Sequence, residues 1–368
     1  MTFDEFMQDP VNTLYAFSEE ELRNIKRKIS EKNLQQLQKL AEEALSLPLQ
    51  SVTYKEEMIL VKDKHDYESF SIYSWPNPDT KDGLPYIKRD GYQNPMHLRN
   101  DKLALRKVSY AVYYLGLLYY ITRSKKYYLR LKEHLYCFFI RKGTRMNPNL
   151  NHGQAMPGIN TGQRGGIIDF AVSFGYALSI LQGLKSEGLL ESNLFRGLEA
   201  WLKEFNHWLT ESEFGKEMKK CTNNHSLVYD YLQLIISIFL DDYYMMITVK
   251  TRYPLRMKEQ ILPNGEMPLE LKRVNSQNYY FMNLKLFIEI GKLLCLNLKN
   301  YSLLSRAVEF YEKEHLKWRF NQAKPFTKLY DNYFYYCARQ YFGIKDFSLK
   351  KAKSLQYIIL VDIYGGEK

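Results

Sequence analysis

The sequence predicts an all-helical protein assembled from antiparallel helix hairpins. Three observations predict it. Apolar residues recur at helical spacing through most of the chain. The periodic segments are long and joined by short turns, as in stacked hairpins. The 368 residues, 45% hydrophobic and 25% charged, have an ordinary globular composition and suffice to bury a large core.

The first helix starts at Ser18, which with Glu21 three residues on forms a capping-box signature. Leu22, Ile25, Ile29, Leu34, Leu37, Ala41 and Leu45 then carry an apolar stripe to about residue 46. Residues 1–48 read as an N-terminal helical arm and 49–368 as the main domain. Helical period returns over 101–122, 125–141, 167–185, 191–212, 224–250, 276–297, 301–316 and 349–362. Val108, Ala111, Val112, Leu115 and Leu118 show it, as do Leu194, Leu198, Trp201, Leu202, Phe205 and Trp208. No strict repeat is visible, so a solenoid with a consensus unit is not expected.

Three stretches break the period: residues 65–100, rich in Pro, Gly, Asp, Asn and Tyr; 143–166, rich in Asn and Gly; and 262–275, with Pro263, Gly265 and Pro268. Polar loops on a rigid helical scaffold are where binding and catalysis concentrate.

The candidate chemistry lies in or beside them. Asn223-Asn224-His225-Ser226 opens an apolar helix. Thr222 or Asn223 could simply cap it; alternatively the helix start, with Asn224 and His225 as donors, meets an anion. Arg273 suits a carboxylate through its planar fork. Tyr279 and Tyr280 follow, and a phenol moves protons when nearby positive charge lowers its pKa, although packing is the usual fate of a Tyr. Tyr73, Trp75, Asn77 and Tyr86 form a possible stacking platform for sugar rings, or a loop pinned by its own aromatics. Arg145, Asn149, Asn151 and Gln154, with Arg164 beyond, offer donors to a sugar, or serve only as turn chemistry.

Composition narrows the partner. A net charge of +11 favours a polyanion, and an aromatic share of 15% with 31 Tyr suits both cores and sugar clefts. The basic residues are scattered rather than clustered, which argues against nucleic acid. No run of about 18 apolar residues exists to span a membrane. The acidic start, Met1-Thr2-Phe3-Asp4-Glu5, lacks the basic and apolar regions of a leader. Cys137, Cys221, Cys295 and Cys337 lie far apart, with no CxxC and no zinc-like spacing, so neither a disulfide framework nor a metal is expected. P-loop, GxGxxG, HExxH, GxSxG and kinase signatures are absent.

Read together, the motifs resemble the alginate-lyase domain family, the helical-toroid polysaccharide lyases that include family 5 and broader bacterial relatives. The resemblance runs from about residue 40 to 345. Ser51-Val52-Thr53 and Asp63 to Tyr67 are similar to its entry segment. Tyr73-Ser74-Trp75-Pro76-Asn77-Pro78, Asp82 to Ile87, and Arg89-Asp90-Gly91 through Asn94-Pro95 resemble its most recognisable stretch. Thr144 to Leu150 with Gln154-Ala155 and Pro157-Gly158 follow, then Asn223-Asn224-His225 with Tyr229-Asp230, then Pro268-Leu269-Glu270-Leu271 with Arg273. Singly each is weak; five in order over most of the chain are specific.

The resemblance implies an (α/α) toroid and a cofactor- and metal-independent β-elimination on a uronate-containing polysaccharide. It implies that Asn224, His225 and Arg273 neutralise the uronate carboxylate and that a Tyr protonates the leaving oxygen. In syn elimination that Tyr also takes the C5 proton; in anti elimination His225 does. Tyr279 keeps the relatives' spacing to Asn283, while Tyr280 sits seven residues after Arg273, as in family 5. Tyr279 is preferred, because Tyr280 heads the apolar row Leu284, Phe287 and Leu294. The chain departs from its relatives at Ser226-Leu227-Val228, where they have Gly-Thr-Trp, and at Asn278, where they commonly have His. Relatives are normally exported. The competing function is a non-catalytic carbohydrate-binding or regulatory protein on the same fold.

Overall fold

The computed structural model describes residues 16–99, 101–324, 337 and 340–343. Helix α1 (Glu19–Lys28) begins with the expected capping box: Ser18 Oγ accepts from Glu21 N–H, and the Glu21 carboxylate accepts from Ser18 N–H at 2.8 Å. The stripe expected to run unbroken to residue 46 is two helices. Ile29 turns to ψ 126°, and Ser30 caps a second helix, α2 (Glu31–Ser46), by accepting from Asn33 N–H. Both belong to the main hydrophobic core through Leu22, Ile25, Leu37 and Ala41, all at 0% exposure. The ion pair between Glu21 and Lys292, 3.1 Å apart, ties the N-terminal segment to a helix 271 residues further along the chain.

The remaining helices are α3 (Asp101–Thr122), α4 (Lys125–Leu135), α5 (Gly166–Ala171), α6 (Phe174–Ser186), α7 (Ser192–Glu211), α8 (Glu213–Lys220), α9 (Asn224–Leu240), α10 (Tyr243–Gln260), α11 (Pro268–Leu271), α12 (Ser276–Leu293) and α13 (Ser302–Glu314). Local side chains divide what periodicity had joined. Asp241 takes a left-handed φ of 56° and Asp242 caps α10 through Met245 N–H, so residues 224–250 are not one helix. The Ser173 hydroxyl turns back onto the Asp169 carbonyl where α5 gives way to α6. The last turns of the 125–141 segment widen into a π-helical stretch, Tyr136–Ile140. The helix expected over 349–362 lies outside the described residues.

Helices α3, α6, α9 and α12 pack in sequence as an inner wall, each backed by an outer partner: α3 by α4, α6 by α1, α9 by α7 and α10, α12 by α13. This is the (α/α) toroid. The inner helices are buried almost all round, which explains why α3 and α9 read as near-continuous apolar runs. Most of the large fully buried side chains are tyrosines, so the aromatic excess serves the core first.

Two short strand pairs shape the loops above the wall. Strand β1 (Glu68–Phe70) pairs in parallel with β4 (His152–Ala155), and β2 (Ser74–Trp75) pairs antiparallel with β3 (Ile87–Lys88). Gly91, just after β3, has φ +82°, and an added Cβ would lie 2.7 Å from Val274 Cγ1. Only glycine allows this loop so close to the 273–275 segment.

Candidate active site

The N-terminal ends of α3, α5, α9 and α12 converge on a cleft of about 720 Å³. Its lining includes Lys102, Arg106, Gln154 and Asp169 together with Asn224, His225, Arg273 and Tyr279, and the segment around β2 and β3 adds Tyr73 and Lys88. Helix N-termini and a majority of cationic side chains give the space a positive field suited to an acidic ligand.

Asn223 caps α9, its Oδ1 accepting from His225 N–H at 3.2 Å. Asn224, 1% exposed, gives its backbone N–H to Glu270 Oε1 at 2.8 Å and an Nδ2 proton to Glu270 Oε2 at 2.7 Å. The sequence had suggested that the start of α9 attracts a substrate anion. In the fold a buried carboxylate of the protein already takes the Asn224 N–H, and what Asn224 and His225 turn toward the cleft is their side chains. Burial raises the Glu270 pKa, against the Asn224 bonds and the Arg273 charge. His225 is half-buried, with Nδ1 lacking a partner among the described residues. Desolvation first, then Arg164, Arg273 and Lys88, lower its pKa to about 4, so the imidazole is neutral near pH 7.

Arg273 grips Asp90 with both arms, Nη2 to Oδ1 at 2.7 Å and Nε to Oδ2 at 3.2 Å. Nη2 also donates to Tyr279 Oη at 2.7 Å, and Tyr279 in turn donates to Tyr73 Oη at 2.7 Å. Burial opposes ionisation of Asp90, but the guanidinium outweighs it and holds this carboxyl below its usual range. For Tyr279, burial and the neighbouring Tyr73 raise the pKa far above that of a free phenol, with Arg273 pulling the other way. The resting residue is a protonated phenol with a cation on its oxygen, the arrangement of a proton donor whose anion is stabilised once the proton leaves. Arg273 was expected as a carboxylate ligand, yet its bonds in the fold go to Asp90 and Tyr279.

Of the residues singled out from sequence, Tyr73, Gln154, Arg164, Asn224, His225, Arg273 and Tyr279 line the cleft. Tyr280 does not: it is 0% exposed, and its hydroxyl bonds the carbonyls of Gly265 and Ala307 at 2.7 and 2.9 Å. One residue along a helix turns a side chain by about 100°, and that step sends Tyr280 into the packing against α13. Also outside the lining are Trp75, whose indole bonds Tyr92 O under the Arg89 guanidinium, and Asn77, which closes its own turn. Tyr86 joins the loop to Pro157, the Arg145 carbonyl bonds the His65 ring, Asn149 caps Asn151 N–H, and Asn151 accepts from Trp208. In the fold these residues bond within and between the loops, Asn77 and Asn149 to backbone two residues on and the others to more distant partners.

Sequence reasoning missed Asp90, Glu270, Lys88 and the Lys102–Asp169 ion pair of 2.8 Å. Asp90 and Glu270 lie inside quoted motifs, so a signal existed, but nothing local marks a charged residue as paired. Among the described residues, no group of three or more His, Cys, Asp or Glu could hold a metal.

The fold and the cleft define a helical-toroid carbohydrate-active enzyme, and comparison with known proteins makes this specific. Residues 51–319 match the alginate lyase family model, so the chain belongs to the alginate lyase family and is a polysaccharide lyase. It is similar to the crystal structure of an alginate lyase from Bacteroides ovatus, at 27% identity and TM-score 0.85, covering 94% of this chain and 98% of that one. Alginate lyase A1-III from Sphingomonas species A1 shares the fold at 16% identity and TM-score 0.56, with 93% and 92% covered. A tyrosine variant of A1-III, complexed with a tetrasaccharide, superposes at TM-score 0.60 and 14% identity over 99% of both chains. Comparison with curated protein sequences gives no match.

Proposed function

We propose that the chain cleaves a polyuronate, alginate or a related polymer, by β-elimination in this cleft. The observation that carries the reading is the Tyr279 phenol, pinned between Arg273 and Tyr73 in the same cleft as Asn224 and the neutral imidazole of His225. The uronate C5–H is barely acidic until its carboxylate is neutralised, so donors must meet the charge that grows there. Asn224 and His225 supply them. The C5–H bond breaks, its electrons form the C4=C5 double bond, and the C4–O bond breaks with its electron pair going to the glycosidic oxygen, which leaves carrying a proton from Tyr279. Where C5–H and C4–O are anti, the His225 imidazole takes the C5 proton; where they are syn, Tyr279 must first release its own phenol proton to solvent, against the burial that holds it, and the phenolate under Arg273 then takes the C5 proton and passes it to the leaving oxygen.

The test is incubation with polymannuronate, polyguluronate and glucuronan, following the ultraviolet absorbance of the unsaturated product. Absorbance growth on at least one polymer is expected. Binding of all three without product would instead favour a carbohydrate-binding role.

A further inference from the structure

We propose that Glu270 is a positioning residue for the elimination: it fixes the sense of the Asn224 amide and so decides which polar edge of that side chain meets the substrate acid. This rests on the reading of the cleft just given. Glu270 lies on α11 at 1% exposure, too deep to touch a polymer. Its two oxygens take different protons of one residue, the Asn224 backbone N–H at 2.8 Å and the Asn224 Nδ2–H at 2.7 Å. A carboxylate accepts and cannot donate, so Asn224 must turn its nitrogen toward it; the reversed amide would press Oδ1 against Oε2 with no proton between them. One Nδ2 proton and Oδ1 are left for the cleft that Asn224 lines.

The anchor needs no substrate to hold it, because a negative charge at the start of α9 is favoured by the helix dipole. It is also coupled to the proton donor's partner. Arg273 N–H bonds Glu270 O at 3.1 Å, so one turn of chain carries both the carboxylate that orients Asn224 and the guanidinium that meets Tyr279. A plain helix cap would require only the backbone bond. The second bond, to the side chain, is the one that selects an amide orientation.

Glu270→Gln keeps the shape, but with its Oε1 held by the Asn224 backbone N–H its NH2 faces the Asn224 side chain and favours the reversed amide. On a polyuronate, kcat is expected to fall about 10–100-fold, as when the partner behind a liganding group is lost, with KM within about threefold. Asn224→Ala and the double variant complete a cycle, and the double variant is expected to be no slower than Asn224→Ala alone. Full kcat in Glu270→Gln, or losses that multiply in the double variant, overturns the proposal. If the wild type releases no unsaturated product from any polyuronate, it is the elimination reading that fails. The Asn224 side-chain amide resonances then decide on Glu270. One exchange-protected Nδ2 proton that disappears in Glu270→Gln is expected, and a pair indifferent to the substitution refutes the positioning role.

Discussion

The guanidinium of Arg273 meets Tyr279 in two ways: Nη2 donates to the phenol oxygen at 2.7 Å, and Cζ lies 3.6 Å from the ring centroid. The cation therefore covers both the ring face and the oxygen on which charge appears when the proton departs. Burial works against the charge on Arg273, but Asp90 and Tyr279 restore it, and the guanidinium stays protonated.

Tyr279→Phe removes the proton donor while keeping the ring beneath Arg273. Turnover is expected to fall by about three orders of magnitude or more, a loss in the range of positioned acid–base groups, with oligosaccharide affinity changed only a few-fold. Tyr280→Phe should do the reverse, leaving kcat intact but costing about 1–3 kcal/mol, because two buried carbonyls lose their donor. Paired initial-rate and urea-denaturation measurements check both; an inactive, stable Tyr280→Phe would reassign the donor.

Asp90→Asn weakens the bidentate hold on Arg273 and should lower kcat about 10–100-fold, the scale for loss of a supporting partner. Gly91→Ala should show a similar loss together with reduced stability, because its Cβ would strike Val274 at a positive φ. Since Arg273 holds the Asp90 pKa below the unfolded value, the stability of this pair is complete above the normal carboxylate range and is lost as pH falls through the depressed folded pKa. A rate unaffected in Asp90→Asn would show that Arg273 holds its place alone.

Three histidines are expected to make the fold acid-sensitive. Burial lowers His225 and His134 to about 4 and His97 to about 3, each from 6.5. Folded values below unfolded ones mean that the stabilisation is complete above pH 6.5 and declines as pH falls toward 4. A tenfold change in proton affinity corresponds to about 1.4 kcal/mol, so His134 alone is expected to account for a loss on the order of 3 kcal/mol across that window. His134→Leu, at a site where neither ring nitrogen has a partner among the described residues, should flatten the dependence of the urea midpoint on pH. An unchanged slope would assign the acid sensitivity elsewhere.

A chelator is expected to leave the rate unchanged, since carboxylate neutralisation is assigned to amide and imidazole groups. Rates measured before and after exhaustive chelation, then with divalent cations restored, provide the check. A collapse that metal reverses would overturn the assignment.

By itself the sequence determined the helical period, the cap at Ser18, the order of the motifs and the family they mark. These are local or pairwise features, written in spacing that survives without coordinates. It could not separate Tyr279 from Tyr280, because both are phenols on one helix and only packing against α13 decides which face enters the core. Nor could it locate the helix breaks at Ser30 and Asp241, where a capping side chain competes with an apolar stripe that continues beyond it. The roles of Asp90 and Glu270 were likewise hidden. A charged residue reads as solvated until the fold brings its partner, here Arg273 or Asn224, from 183 or 46 residues away and closes water out between them.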